Sequence, residues 1–184
     1  MEHKIQSIST ANGRIYFWFD ENLINSKKYK EFKQNAERKA VSEMLKELYP
    51  ETELYRIENG APVIKNSRYA HISISHYKGW FSIFLSNECC GVDIQVFKPS
   101  LEKGKHYFLN SNEENMDFSL EELQLIWCAK EAFYKFKRGA IEDLKNEVSI
   151  FKIDHFEHEI FLNHTGIIYR LNYQQNEKLF LVWI

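Results

Sequence analysis

An aspartate set inside an apolar strand constrains this chain more than any other feature. Gly91-Val92-Asp93-Ile94-Gln95 reads as a buried strand, yet it carries a carboxylate whose burial is costly unless a partner compensates the charge. Beyond residues 96–126 comes Trp127-Cys128-Ala129-Lys130-Glu131-Ala132-Phe133-Tyr134-Lys135, which reads as a helix. Trp127, Glu131 and Lys135 fall one turn apart on one face of it. A divalent cation is one partner that stabilises a buried carboxylate, and a lysine is the more ordinary one. The first points to metal-assisted chemistry on a phosphate-bearing substrate, the second to a plain structural pair.

With 184 residues, the chain holds either one sizeable core or two small lobes that depend on each other. A hydrophobic share of 44% marks it as folded and not disordered. The net charge of −2 removes bulk electrostatics as a case for nucleic-acid binding, so any phosphate site must be local. Three cysteines, two of them adjacent at Cys89 and Cys90, give neither a disulfide framework nor a zinc spacing and suit a reducing compartment. Residues 1–10 lack an apolar signal core, and no stretch approaches a membrane span. A cytoplasmic monomer with no membrane and no nucleic-acid partner is expected.

Periodicity gives the order of elements. Arg14 to Asp20 reads as an aromatic strand, and Lys30 to Leu48 as a long helix with Phe32, Ala36, Ala40, Val41, Met44, Leu45 and Leu48 at helical spacing, stopped by Pro50. Glu53 to Ile64 holds a turn at Asn59-Gly60 and Pro62 between short extended pieces. His71 to His76 alternates with period two, Tyr77 to Gly79 turns, Trp80 to Leu85 returns, and Cys89 to Val96 is expected as the third strand of a meander. Lys98 to Leu120 reads as a linker or lid with a short helix at Leu101 to Phe108. Ser119 and Glu122 form a capping box for a helix that runs to Arg138 and stops at Gly139. Four strands follow, at Val148–Ile153, Glu159–Leu162, Ile167–Tyr173 and Lys178–Trp183.

The order strand, long helix, strands, linker, long helix, strands predicts an α+β fold of two pseudo-symmetric lobes, 1–98 and 99–184, each a long helix on a small antiparallel sheet. The active cleft is expected between them. A single α+β domain with a long crossover is the alternative.

Asp93 and Gln95, two apart on a strand, share a face, and oxygen ligands on one face suit a hard cation. Glu131 and Lys135 also match the ordinary stabilising i, i+4 pair of helices. Lys130 beside them adds a charge that a phosphate-binding face would use. His76 ends its strand at a turn, where most histidines are simply exposed, and Arg38 on the first helix reads as solvent-facing by default.

Taken together, these segments resemble the 4′-phosphopantetheinyl transferase superfamily, specifically its two-lobed surfactin-synthetase-activating type. The likeness rests on Gly91-Val92-Asp93-Ile94-Gln95 and Trp127 to Lys135, with Ile74-Ser75-His76-Tyr77, Gly60-Ala61-Pro62 and Arg38 upstream. It implies transfer of the 4′-phosphopantetheine arm of coenzyme A to a serine hydroxyl of an apo acyl or peptidyl carrier protein, with release of 3′,5′-ADP. The carrier would serve fatty acid, polyketide or nonribosomal peptide biosynthesis. Asp93, Glu131 and Gln95 would hold Mg²⁺, or Mn²⁺ in its place. Glu131, Lys135 and Asp93 would be catalytic, and His76, Arg38, Lys130 and Lys135 would bind coenzyme A. Lys98, Lys103, Lys105, His106, Tyr107 and Phe108 offer a basic and aromatic surface for an acidic carrier. Gln95, Ala61 and Tyr77 depart from the family pattern. They leave open a non-catalytic or weakly active relative that binds a carrier or coenzyme A.

Overall fold

Aromatic and β-branched residues recur through 13–19 and 71–86, and these stretches become strands of the first sheet, with 13–19 and 80–86 at its centre. The computed structural model describes residues 4–184, with every side chain in that range except those at 28 and 30. The chain divides into two units, Met1–Cys90 and Gly91–Ile184, and its fold is α+β.

In the first unit, β1 (Gln6–Ser9), β2 (Gly13–Phe19), β5 (His71–Tyr77) and β6 (Trp80–Ser86) pair antiparallel in the order β1-β2-β6-β5. Helices α1 (Glu21–Asn25), α2 (Lys27–Glu31) and α3 (Lys33–Leu48) lie in sequence between β2 and β3 (Glu53–Arg56), which pairs with β4 (Pro62–Lys65) as a separate ribbon. The β5–β6 hairpin turns through Lys78 and Gly79, at φ 47° and 84°. A two-residue turn of this hand matches the twist of its strands, and glycine carries the second position without strain. Val41, Met44 and Leu45 on one stripe of α3 pack with Tyr16, Trp18, Phe81, Ile83 and Leu85 from the sheet.

The expected Lys30–Leu48 helix is divided. Phe32 is the N-cap of α3 and is 61% exposed, outside the apolar stripe the sequence assigned to it. Strand β1 was not foreseen. Its Gln-Ser-Ile-Ser sequence is polar and mostly exposed, as an edge strand permits.

The second unit holds β7 (Val92–Val96), a 3₁₀ segment (Pro99–Tyr107), α4 (Ser111–Glu114), α5 (Leu120–Phe136), α6 (Leu144–Glu147), β8 (Val148–Asp154), β9 (Glu159–His164), β10 (Ile167–Gln175) and β11 (Leu179–Trp183). Its sheet is antiparallel throughout, in the order β7-β11-β10-β9-β8. Ser119 and Glu122 form the anticipated capping box on α5, and Gly139 takes φ 81° just past its end. Leu125, Ile126, Ala129, Ala132 and Phe133 bury one face of α5 with Ile150, Ile160, Leu162, Leu171 and Val182 of the sheet. Among the described residues, no helix is long and apolar enough to cross a membrane.

The expected three-stranded meander does not form, because β7 leaves the first sheet and joins the second. Gly91 and Ile184 exchange backbone hydrogen bonds at 3.0 Å each, and Asp93 stands opposite Val182 in the register that follows. The apolar Leu179–Trp183 run offers the buried strand β7 an apolar neighbour. The likeness between the units is therefore coarse. Each joins one long helix to an antiparallel sheet, but strand number and order differ.

Candidate functional site

β7 and α5 are drawn together at Gly91. A β-carbon there would collide with the carbonyl oxygen of Ala132 and lie 2.9 Å from Phe136 N, so only glycine lets the strand approach the helix this closely. Two residues on, Asp93 meets the same helix. Lys135 Nζ donates to Asp93 Oδ1 at 2.6 Å and to the Val92 carbonyl at 3.1 Å. The Asp93 side chain is 5% exposed and that of Lys135 is 26% exposed, so the pair interacts where water screens it poorly.

Glu131 is one turn before Lys135 and half-buried. Burial pushes its carboxyl above the usual range, the negative charge of Asp93 pushes it further, and Lys135 opposes both. Cys128, three residues earlier on the same face and fully buried, feels the same group. Burial and then Asp93 push its thiol well above the ordinary value. Two carboxylates, one ammonium and a neutral thiol thus share one electrostatic environment. Gln95 follows Asp93 on the same face of β7, half-buried and opposite Phe180.

Among the described residues, no three or more His, Cys, Asp or Glu side chains are gathered to hold an ion. Magnesium needs fewer, since it keeps waters and takes one or two carboxylates plus substrate phosphates. The mutual effect of Asp93 and Glu131 is what a cation would relieve. The donor set therefore fits Mg²⁺, with the Gln95 amide oxygen as a neutral third contributor.

Lys130 does other work. Its ammonium is 0% exposed and bonded to Glu113 Oε2 at 2.7 Å, the Phe108 carbonyl at 2.7 Å and the Lys145 carbonyl at 3.3 Å. All its donors are engaged within the second unit, which stands against the phosphate contact expected of it. Phe108, expected on a docking surface, is 3% exposed and belongs to the core.

In the first unit, Arg38 and His76 line one concavity of about 240 Å³ with Glu37, Tyr55, Arg56 and Ile74 among its walls. Glu37 is its buried acid, 4% exposed. His76 Nδ1 lies 3.4 Å from Glu37 Oε2, Lys33 Nζ lies 3.8 Å from Oε1, and the Tyr29 hydroxyl donates to Oε1 at 3.0 Å. Burial, then this bond to a carboxylate, pushes the Tyr29 hydroxyl up to about 12. Arg56 reaches the concavity from β3, with Nη1 donating to the Gly60 carbonyl at 2.6 Å. Burial pulls its guanidinium below the ordinary range, and repulsion from Arg38 pulls it further.

The structure thus brings together Asp93, Glu131 and Lys135 in the second unit, and Arg38 and His76 in the first. Sequence reasoning missed Glu37, Arg56 and Cys128. Cys128 was within reach, because it precedes Glu131 by three and so shares its helix face. Arg56 gave no signal, being an arginine in a short exposed strand. Compared with protein-family models and with curated proteins, the chain matches none.

Proposed function

We propose that this protein transfers the 4′-phosphopantetheine arm of coenzyme A to a serine hydroxyl of an apo acyl or peptidyl carrier protein, releasing 3′,5′-ADP. The observation that carries the reading is the cluster in which Lys135 bonds Asp93 at 2.6 Å, while burial and then the charge of Asp93 raise the carboxyl of Glu131. Asp93 and Glu131, with Gln95 beside them on β7, would hold Mg²⁺. When bound, the ion supplies positive charge to the pyrophosphate and so stabilises the departing phosphate.

Each residue then has a chemical task. Glu131 accepts the serine proton, directly or through a water. The serine oxygen attacks the phosphorus that bears the pantetheine arm. The bond from that phosphorus to the bridging pyrophosphate oxygen breaks, and the electron pair leaves with 3′,5′-ADP. Lys135 holds the Asp93 carboxylate and offers charge to the phosphate as negative charge shifts on to the leaving group. Arg38 and His76 line a concavity whose cationic groups suit the separate 3′-phosphate of coenzyme A.

Intact-mass spectrometry tests the reading. Protein, Mg²⁺, coenzyme A and several apo carriers are expected to yield a carrier heavier by the phosphopantetheine arm. Glu131→Gln should abolish the product while the protein stays folded. Failure of every carrier, together with no magnesium-dependent coenzyme A binding, would overturn the transferase.

A further inference from the structure

The seam between β7 and α5 contains one polar group to which the transfer chemistry gives no part. The strand and the helix pass each other in opposite directions. Gly91 abuts Ala132 and Phe136 near the end of the helix. Further along the chain, the Lys98 N–H donates to Gln124 Oε1 and Gln124 Nε2 donates to the Lys98 carbonyl, at 3.2 Å each. Asp93 and Cys128 fall between those two crossings. Cys128, Glu131, Ala132 and Lys135 line one face of α5 at i, i+3, i+4 and i+7. Long helical side chains lean towards the N-terminus, so Lys135 reaches back to Asp93 Oδ1 at 2.6 Å. Cys128, nearer the start of the helix, is 0% exposed and hydrogen-bonds Asp93 as well. An ionised carboxylate only accepts, so the thiol donates. Burial and the charge of Asp93 both favour the neutral thiol, which keeps that hydrogen.

We propose that Cys128 is a positioning residue, whose S–H acts with the Lys135 ammonium to fix the rotation of the Asp93 carboxylate that would hold Mg²⁺ with Glu131. The inference deepens the transferase reading and rests on it for the reaction the ion serves. The last torsion of an aspartate is broad, so its carboxylate plane is set by whatever bonds it. Lys135 is 26% exposed on a flexible stem, and it grips one oxygen without setting the plane. A second donor, on a buried helix position, supplies the missing constraint from behind the metal ligand. Alanine at this position keeps the helix and loses the donor, whereas serine keeps a donor of shorter reach.

Manganese binding to the full chain, followed by electron paramagnetic resonance, tests this without coenzyme A or a carrier. Cys128→Ala should weaken the ion about three- to tenfold, and Cys128→Ser should recover most of that loss. Infrared spectra add a readout that packing alone would not move. The S–H stretching band that disappears in Cys128→Ser should shift to higher frequency in Asp93→Asn, where a neutral amide accepts more weakly. The band of Cys90, which donates to the Phe84 carbonyl, should stay in place. Unaltered manganese affinity in Cys128→Ala overturns the inference, as does a Cys128→Ser protein no better than Cys128→Ala. So does a Cys128 band that Asp93→Asn leaves in place, or an unaltered protein that binds no manganese. The two readings fail separately. Cys128-dependent manganese binding with no carrier ever modified sinks the transferase and keeps the role of Cys128. Transfer of the arm with the same magnesium dependence in Cys128→Ala as in the unaltered protein keeps the transferase and sinks that role.

Discussion

Lys130 and Glu113 face each other at 2.7 Å with neither side chain exposed. Glu113 also accepts from Asn110 N at 2.8 Å and Ile150 N at 2.7 Å, so one carboxylate ties α4, α5 and β8 together. Burial pulls the Lys130 ammonium below its ordinary range, and Glu113 opposes that pull. Removing one partner strands the other charge in the core. Lys130→Met is expected to cost about 3–5 kcal/mol in urea unfolding. Adding Glu113→Gln to it should recover part of the loss, because the remaining group is then neutral. A loss below about 1 kcal/mol would show that the pair is not the hub the geometry implies.

Gly91→Ala tests how the site is assembled. The added methyl meets the backbone of Ala132 and Phe136, which cannot rotate away as a side chain could. Overpacking of this kind costs about 1–3 kcal/mol and here must push β7 from α5. Because Asp93 rides on β7 and Lys135 on α5, the 2.6 Å bond should lengthen. The expected result is a lower melting temperature together with a loss of turnover larger than the loss of coenzyme A affinity. Wild-type turnover in a destabilised protein would separate Gly91 from the site.

Those two residues illustrate what the sequence reveals and what it conceals. The capping box of α5 was legible because Ser119 and Glu122 act locally, and Gly139 marked the end of that helix for the same reason. The sheet to which β7 belongs was not legible. An apolar run states that a strand is buried but not which neighbour covers it, and Gly91 bonds to Ile184 at the far end of the chain. The proximity of Asp93 and Lys135 was half-legible. A buried aspartate requires a cation, and the lysine that answers it was named as ordinary helix surface as well as site. Lys130 misled because its charge suggested a ligand, whereas Glu113 was hidden in an unremarkable polar stretch.

Glu131 gives a pH prediction. Its carboxyl is raised in the folded state, so between the unfolded value and the folded one the native protein holds a proton that the unfolded chain releases. Stability therefore falls as pH rises through that window, and the penalty persists at neutral pH. Glu131→Gln has no charge to bury. It should melt higher than wild type at pH 7 and indistinguishably from it near pH 4, below the window. Magnesium should raise the wild-type melting temperature at pH 7 by neutralising the two carboxylates, and should do so less in Glu131→Gln. Parallel melting curves for the two proteins from pH 4 to 7 would remove the burial argument.

The 3₁₀ segment Pro99–Tyr107 gives the last prediction. It carries Lys103, Lys105 and His106, and Tyr107 stands 77% exposed. Lys145 Nζ holds the segment by donating to the His106 carbonyl at 2.8 Å, so its charges ride on a fixed backbone. An exposed aromatic among basic residues suits a partner with an acidic, partly apolar surface, and the carrier of the proposed transfer is expected to dock here. Charge reversal by Lys103→Glu with Lys105→Glu should raise the KM for the carrier roughly tenfold, mainly through slower association, and should flatten its dependence on salt. Tyr107→Ala should raise the same KM through faster dissociation, with salt dependence retained. Coenzyme A affinity should stay unchanged in all of these variants, because none of the altered residues lines the concavity of Arg38 and His76. A carrier KM that keeps its full salt dependence after the charge reversal would place docking on another surface.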